Sequence, residues 1–417
     1  MPTHSPVWHP FTQHALQPEM VKIAAASGAW LEAADGARIF DGISSWWVVT
    51  HGHAYPPIVE AIQRQAARLD QVIFAGFTHE PAEDVARRLI ALAPAGLAHV
   101  FFSDSGSTSV EVALKMALGF FLHRGEPRAR IVALEHGYHG DTIGCMSVGA
   151  RGVFNAPYEP LLFEVERIPF PAEGAEQRTL DAFEAICRRD APAALILEPL
   201  LLGAGGMLVY PAFALGELKR ICEAHGVLFI ADEVLTGFGR TGTLFACEQA
   251  GVSPDILCLA KGLTGGAIPL AVTLCTPEIF DAHYAPDRAR MFYHSSSYTA
   301  NPIACAAAAA NLDVWAKEPV RERIAALVAA QAQRVRRLEG DSRFANVRQI
   351  GTVAALDFHV EQNGYLAPIG PKLYDFFLSR GLLLRPLGAT VYVMPPYCTT
   401  PAELDAVYAA IAAAASV

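Results

Sequence analysis

The 417-residue chain is short of charge and shortest of lysine: charged residues make up 18% of it, and only six of them are lysines. With 32 basic against 42 acidic side chains and a net charge of −10, it lacks the positive surface that nucleic acids and anionic membranes require. No uninterrupted apolar run is long enough to span a bilayer. The opening MPTHSPVWHPFTQH has neither a basic segment nor an apolar core of the signal-peptide kind, so a cytoplasmic location is expected. The eight cysteines (145, 187, 222, 247, 258, 275, 305 and 398) form no CxxC pair, and several lie in apolar runs, which reads as buried thiols rather than disulfides or zinc ligands. His51 and His53 flank a glycine, and His136 and His139 bracket Gly137 and Tyr138. Neither pair has a third ligand at a recognised spacing, so no metal site is expected. Small-molecule chemistry is the class left.

What the chain has in abundance is apolar sequence, 52% hydrophobic, with 33 glycines and enough length for a large domain and a satellite. Across residues 98–275, short apolar or β-branched runs (HVFF, RIVALE, AALILEP, VLFIADE, ILCLA, LAVTLC) alternate with helical patterns. That alternation predicts a mostly parallel sheet covered on both faces. After an alanine-rich helix over 301–315 the pattern changes to a long helix near 320–338, strand signals in VRQIGTVAALDF, LLLRPLG and TVYVMPP, and helices over 371–380 and 401–415. The expected organisation is a large domain over 51–315, a smaller α+β domain over 316–417, and a first segment, 1–50, whose strand-like AWLEAADGARIFDGIS joins the smaller one.

Two residues at the ends of apolar runs carry the chemistry. Asp232 closes VLFIAD and Lys261 closes ILCLAK, and ligands of α/β proteins bind at the carboxyl ends of parallel strands. An acid that holds a pyridine nitrogen protonated and a lysine that forms a Schiff base are what pyridoxal phosphate requires. Lys261 alone is followed by Gly262, Gly265 and Gly266, which suit close backbone approach to a ligand; Lys115, in EVALKMAL, sits where a helix points it outward. The run from Ser103 through Asp104, Ser105, Gly106 and Ser107 to Thr108 opens a helical pattern directly after HVFF. It reads as a phosphate cradle at a helix start, or as an ordinary N-cap. Tyr138, between Gly137 and Gly140, stacks on a ligand ring or fills local core.

Taken together, WHPFTQH (8–14), GISSWWVVTHGH (42–53), SDSGSTSVEVALKMAL, YHGDT, EPLLLGAGGM, DEVLTGFGRTG, LAKGLTGG, HSSSYTANPIACA and LLRPLGATVYVMPP resemble the motifs of the class III, fold-type I aminotransferases over nearly the whole chain. The WHP opening and double tryptophan resemble the branch that aminates 8-amino-7-oxononanoate with S-adenosylmethionine or, in some members, lysine as donor. The resemblance implies an α/β fold with a mostly parallel seven-stranded sheet and a small α+β domain from both ends of the chain. It implies Lys261 as the Schiff-base lysine and proton shuttle, Asp232 on the pyridine nitrogen, Tyr138 on the ring, and Ser105, Gly106 and Ser107 at the phosphate. It also implies a homodimer in which Ser297 serves the phosphate of the opposite site.

For substrate, the resemblance implies that Trp46 and Trp47 line the channel, although on a strand one ring would point in and one out. A long aliphatic carboxylate asks for apolar walls and a distant cation. Arg385 is the candidate cation, and a surface arginine closing a strand is the alternative. Arg240 holds a donor carboxylate or braces its own loop, and Asp141 supports the cofactor network or caps a helix. Two departures stand out: Phe11 replaces a frequent tyrosine, which leaves the donor open, and the run from Ser295 to Ser297 replaces a glycine-proline-threonine order, which alters substrate fit at Ser295. The same cofactor machinery acting on another ω-amino acid or diamine is the alternative reading.

Overall fold

The computed structural model describes residues 5–17, 19–361 and 364–416; the first four residues of the opening segment lie outside them. Its centre is a seven-stranded sheet in the order His99–Ser103, Ala271–Cys275, Ile256–Leu259, Leu228–Asp232, Ala194–Leu197, Ile131–Leu134 and Glu166–Ile168. All neighbours pair in parallel except Ala271–Cys275, which is antiparallel to both of its neighbours.

The apolar runs are continuous because both faces are covered. Ile131, Ala133, Ala194, Ile196, Ile230 and Ile256 enter one core; Val132, Leu134, Leu195, Leu197, Ala231 and Leu257 enter the other. Alternate side chains of a strand point to opposite faces, so each run feeds two helical layers. Helix Gly106–His123 covers one face; helices Glu80–Leu92, Ala212–His225 and Pro302–Lys317 cover the other.

A third core gathers the two ends of the chain. Strands Ile23–Ser27, Trp30–Ala33 and Arg38–Asp41 form an antiparallel meander, and Leu382–Leu383 adds to it in parallel, Leu382 opposite Phe40. The D-G turn at Asp35 and Gly36 closes the hairpin, with Gly36 at φ 88°. Beside it lies an antiparallel sheet of Phe344–Ile350, Val353–Phe358 and Thr390–Val393, packed under helices Val320–Val335 and Pro401–Ala413.

The double tryptophan is not on a strand: Ser44–Trp47 is a tight turn in which Ser44, Ser45, Trp46 and Trp47 all have positive φ, from 44° to 74°. Such a backbone persists only where its surroundings over-determine it. Here the buried Asp41 accepts from the Ser45 amide (2.9 Å) and hydroxyl (2.8 Å), and the Ser44 hydroxyl donates to Met394 O at 2.7 Å.

Candidate active site

The carboxyl edge of the sheet collects its polar residues. Strand Leu228–Asp232 delivers Asp232, only 4% exposed, whose Oδ2 lies 2.7 Å from His139 Nδ1 while Oδ1 accepts from the Val234 amide at 3.1 Å. The adjacent strand Ala194–Leu197 delivers Glu198, which accepts from the amides of Tyr138 and Gly203, both at 2.9 Å. Burial pushes the Glu198 carboxyl up to about 7, with the nearby Asp232 adding to the rise and His139 opposing it. On the other side, Ile256–Leu259 runs into Ala260 and Lys261. Burial lowers the Lys261 ammonium from its ordinary value, against the upward pull of Asp232 and Glu198. Its Nζ sits 5.5 Å from the centroid of the Trp47 ring.

Helix Gly106–His123 begins at the same edge, capped by Ser105 and Thr108, each side chain bonding the other's backbone. The amides of Gly106 and Ser107 have no carbonyl a turn behind them and are free to meet an anion. A side chain at Gly106 would lie 2.6 Å from Val234 Cγ1, and one at Gly140 would run into Ser107 Oγ. The glycines after Lys261 serve packing more than ligand approach: a Cβ at Gly265 would meet Ile58, and one at Gly266 the backbone of Val48.

These groups enclose a cavity of about 400 Å³ lined by Asp104, Ser105, Gly106, Ser107, Tyr138, His139, Glu198, Asp232 and Lys261. The chemistry fits pyridoxal phosphate: an anion cradle at one end, a carboxylate for the ring nitrogen, and an amine of lowered basicity. His139 Nε2 is buried without a partner among the described residues. It is the kind of group that bound ligand or water satisfies.

A second cavity, about 320 Å³, shares Trp47, Tyr138 and Lys261 with the first. Its walls are Phe11, Trp46, Phe154, Tyr365 and Tyr392, with Asp141 and Arg385 as its charged lining besides Lys261. Trp46 is 40% exposed and packs edge-on to Phe11, their centroids 5.5 Å apart, whereas Trp47 is buried. The Arg385 guanidinium lies 5.3 Å from the Trp46 ring centroid and donates to Phe11 O at 3.1 Å. Burial and the neighbouring Asp141 push the Tyr138 phenol up, so it stays protonated.

Three expected residues are not brought into either cavity. Arg240 is fully buried and donates to the carbonyls of Pro395 (3.2 Å), Trp47 (3.3 Å) and Val49 (2.8 Å). Its assignment to a substrate carboxylate is therefore corrected: it braces the 47–49 segment against the residues just after strand Thr390–Val393, and not its own loop. Ser295 is exposed, its hydroxyl donating to Ser296 O at 3.1 Å. Ser297 is also exposed, its carbonyl accepting from Gln71 Nε2 at 2.7 Å. Conversely, the sequence reading missed Glu198, His139, Phe154, Tyr365 and Tyr392. Glu198 had a usable signal, since it ends AALILE as Asp232 ends VLFIAD.

Among the described residues no group of three His, Cys, Asp or Glu side chains is placed to hold a metal ion. Among the same residues no helix is long and apolar enough to cross a membrane.

The sequence family described as aminotransferase class-III matches residues 11–415. The chain is 48% identical to an adenosylmethionine-8-amino-7-oxononanoate aminotransferase of Synechococcus elongatus, over 99% of each chain. Among solved structures it is similar to an enzyme of that description from Methanocaldococcus jannaschii, with a TM-score of 0.93, 33% identity, and 98% and 97% of the two chains covered. It is also similar to an amine transaminase from an uncultivated Pseudomonas species in a PLP-bound form, with a TM-score of 0.92, 34% identity, and 99% and 98% covered.

Proposed function

Since this chain belongs to the class III aminotransferases, a pyridoxal-phosphate-dependent family, we propose that it aminates the ketone of 8-amino-7-oxononanoate to give 7,8-diaminononanoate, with S-adenosylmethionine as donor. The observation that carries this reading is the second cavity, an aromatic passage with Lys261 and Arg385 in its lining. A long aliphatic chain ending in a carboxylate fits apolar walls with a cation beyond the reacting carbon.

In this reading Gly106 and Ser107 would hold the cofactor phosphate and Asp232 the protonated pyridine nitrogen, while Tyr138 and Trp47 close the space around Lys261 against water. Bound pyridoxal phosphate would supply the electron sink for this chemistry. Lys261 does the proton work: its Nζ takes the proton from the donor's amine-bearing carbon and later delivers one to the carbon that was the acceptor's ketone. Burial favours the neutral amine that this base needs. His139 fixes Asp232 in place through its hydrogen bond.

Two further parts of the reading rest on the surface. Ser297 is exposed beside Tyr293 and Tyr298, each 62% exposed, which supports a homodimer in which this segment covers the opposite site. All eight cysteines are free, which supports a reducing, cytoplasmic setting.

The test mixes cofactor-loaded protein with S-adenosylmethionine or with lysine, follows the near-visible absorbance of the bound cofactor, then adds the oxononanoate. Loss with S-adenosylmethionine and recovery with the oxononanoate are expected. Recovery only after lysine changes the donor. Failure of the oxononanoate to restore absorbance in either case overturns the acceptor and favours an ω-amino acid or amine transaminase, to which the likeness to the amine transaminase also points.

A further inference from the structure

Asn311 lies in the alanine run of helix Pro302–Lys317 and is 0% exposed. An asparagine inside a helix ordinarily faces solvent or bonds its own turn. This one reaches across to another segment: its Nδ2 donates to Gly262 O and to Leu263 O, both at 2.9 Å, and its Oδ1 lies 2.8 Å from His51 Nε2. Both N–H groups are spent on carbonyls, so Oδ1 is the acceptor and His51 carries its proton on Nε2.

The two carbonyls belong to the residues that directly follow Lys261 in the turn Lys261–Thr264. Lys261 has φ 43°, in the left-handed region that side-chain-bearing residues avoid. The Thr50 amide donates to the carbonyl of Gly265, the residue that caps the turn, at 3.2 Å, so the turn and its cap are gripped at three carbonyls by residues outside them. His51 is fixed in turn by the rings of Tyr55, Trp315 and Tyr397, with centroids 5.4 to 6.2 Å away.

We propose that Asn311, oriented by His51, is a positioning residue for the proton transfer: it holds the backbone under Lys261 in its strained form, so that Nζ meets the reacting carbon in register. The inference rests on the reading of Lys261 as the cofactor lysine. A displacement of about an ångström at a reacting group costs on the order of a hundredfold in rate. A loosened turn should therefore lower kcat while leaving the walls that bind substrate, and hence KM, in place.

The experiment compares Asn311→Leu, His51→Leu and His51→Gln with the wild-type protein. His51→Gln keeps an N–H donor close to the Nε2 position, and His51→Leu has none. Amide hydrogen exchange is measured in cofactor-free protein, and kcat and KM in loaded protein. Asn311→Leu and His51→Leu should speed exchange over residues 260–266 by roughly tenfold or more, with the rest of helix Pro302–Lys317 protected as before. They should lower kcat by roughly 10- to 100-fold with KM within about threefold. His51→Gln should restore both. Unchanged exchange over 260–266 in both leucine variants, or His51→Gln as impaired as His51→Leu, would overturn the proposal. If Asn311→Leu does not fold, the His51 pair decides by the same criteria. Exchange in the cofactor-free protein reads the clamp whether or not Lys261 carries the cofactor, so its failure is distinct from failure of that assignment, which Lys261→Ala tests.

Discussion

The indole N–H of Trp47 donates to the Tyr392 hydroxyl at 2.9 Å, joining the wall above Lys261 to a strand of the C-terminal sheet 345 residues away in sequence. Both residues are buried, and their rings also pack edge to face with centroids 6.1 Å apart. Tyr392→Phe keeps the ring and strands the indole donor, which should cost about 1 to 3 kcal/mol of stability. A thermal melt checks the cost. Unchanged stability together with unchanged kcat/KM would show that the bond does not hold the wall.

Lys261→Ala removes the amine that both cavities share. Turnover should fall by more than roughly a thousandfold, within the range associated with a lost general base. The absorbance of lysine-bound cofactor should vanish while the fold, checked by circular dichroism, stays. A variant turning over near the wild-type rate would remove Lys261 from the mechanism.

Arg385→Ala should separate the two half-reactions. If the guanidinium receives the acceptor's carboxylate, KM for the oxononanoate rises by roughly 10- to 100-fold, the worth of a charge-assisted hydrogen bond. The cofactor-converting reaction with S-adenosylmethionine should change less. Equal losses in both would instead mean that Arg385 acts through the Phe11 carbonyl it holds, by shaping the mouth of the passage.

His51 makes stability fall on the acid side. Burial lowers the imidazole from 6.5 to about 4, so above 6.5 neither the folded nor the unfolded chain is protonated there and its contribution is whole. Below 6.5 the unfolded chain takes up a proton that the folded one refuses, and stability is lost down to about pH 4, on the order of 3 kcal/mol in all. Denaturant midpoints at a series of pH values should show this slope, and His51→Gln should flatten it. An equal slope in the variant would assign the acid sensitivity to other groups.

The parts of the site that could be read from the chain share one physical trait. Asp232, Lys261 and the Ser105 to Ser107 helix start each stand where an apolar strand run stops abruptly at polar residues; the strands behind Asp232 and Lys261 are fully buried, whereas His99–Ser103, ahead of Ser105, is a half-buried edge strand. Glu198 follows the same rule, although the proline and leucines after it continue the apolar run. His139 was weighed as a metal ligand, and its carboxylate partner lies 93 residues away. The second cavity was less legible still, since Phe154, Tyr365 and Tyr392 come from three separate segments and converge only through packing. For the double tryptophan only the strand alternative fails: WWVV has strand composition, but the bonds of Asp41 and Met394 to the preceding serines override it.

That same turn keeps backbone strain in the wall of the passage. Left-handed backbone costs a side-chain-bearing residue on the order of 1 kcal/mol or more, and residues 44 to 47 each bear that cost without a glycine among them. Glycine at position 46 would relax the backbone only by giving up the indole that packs on Phe11 and under the Arg385 guanidinium. The strain is therefore not removable by the usual glycine exchange, because the strained residue and the wall of the passage are the same residue.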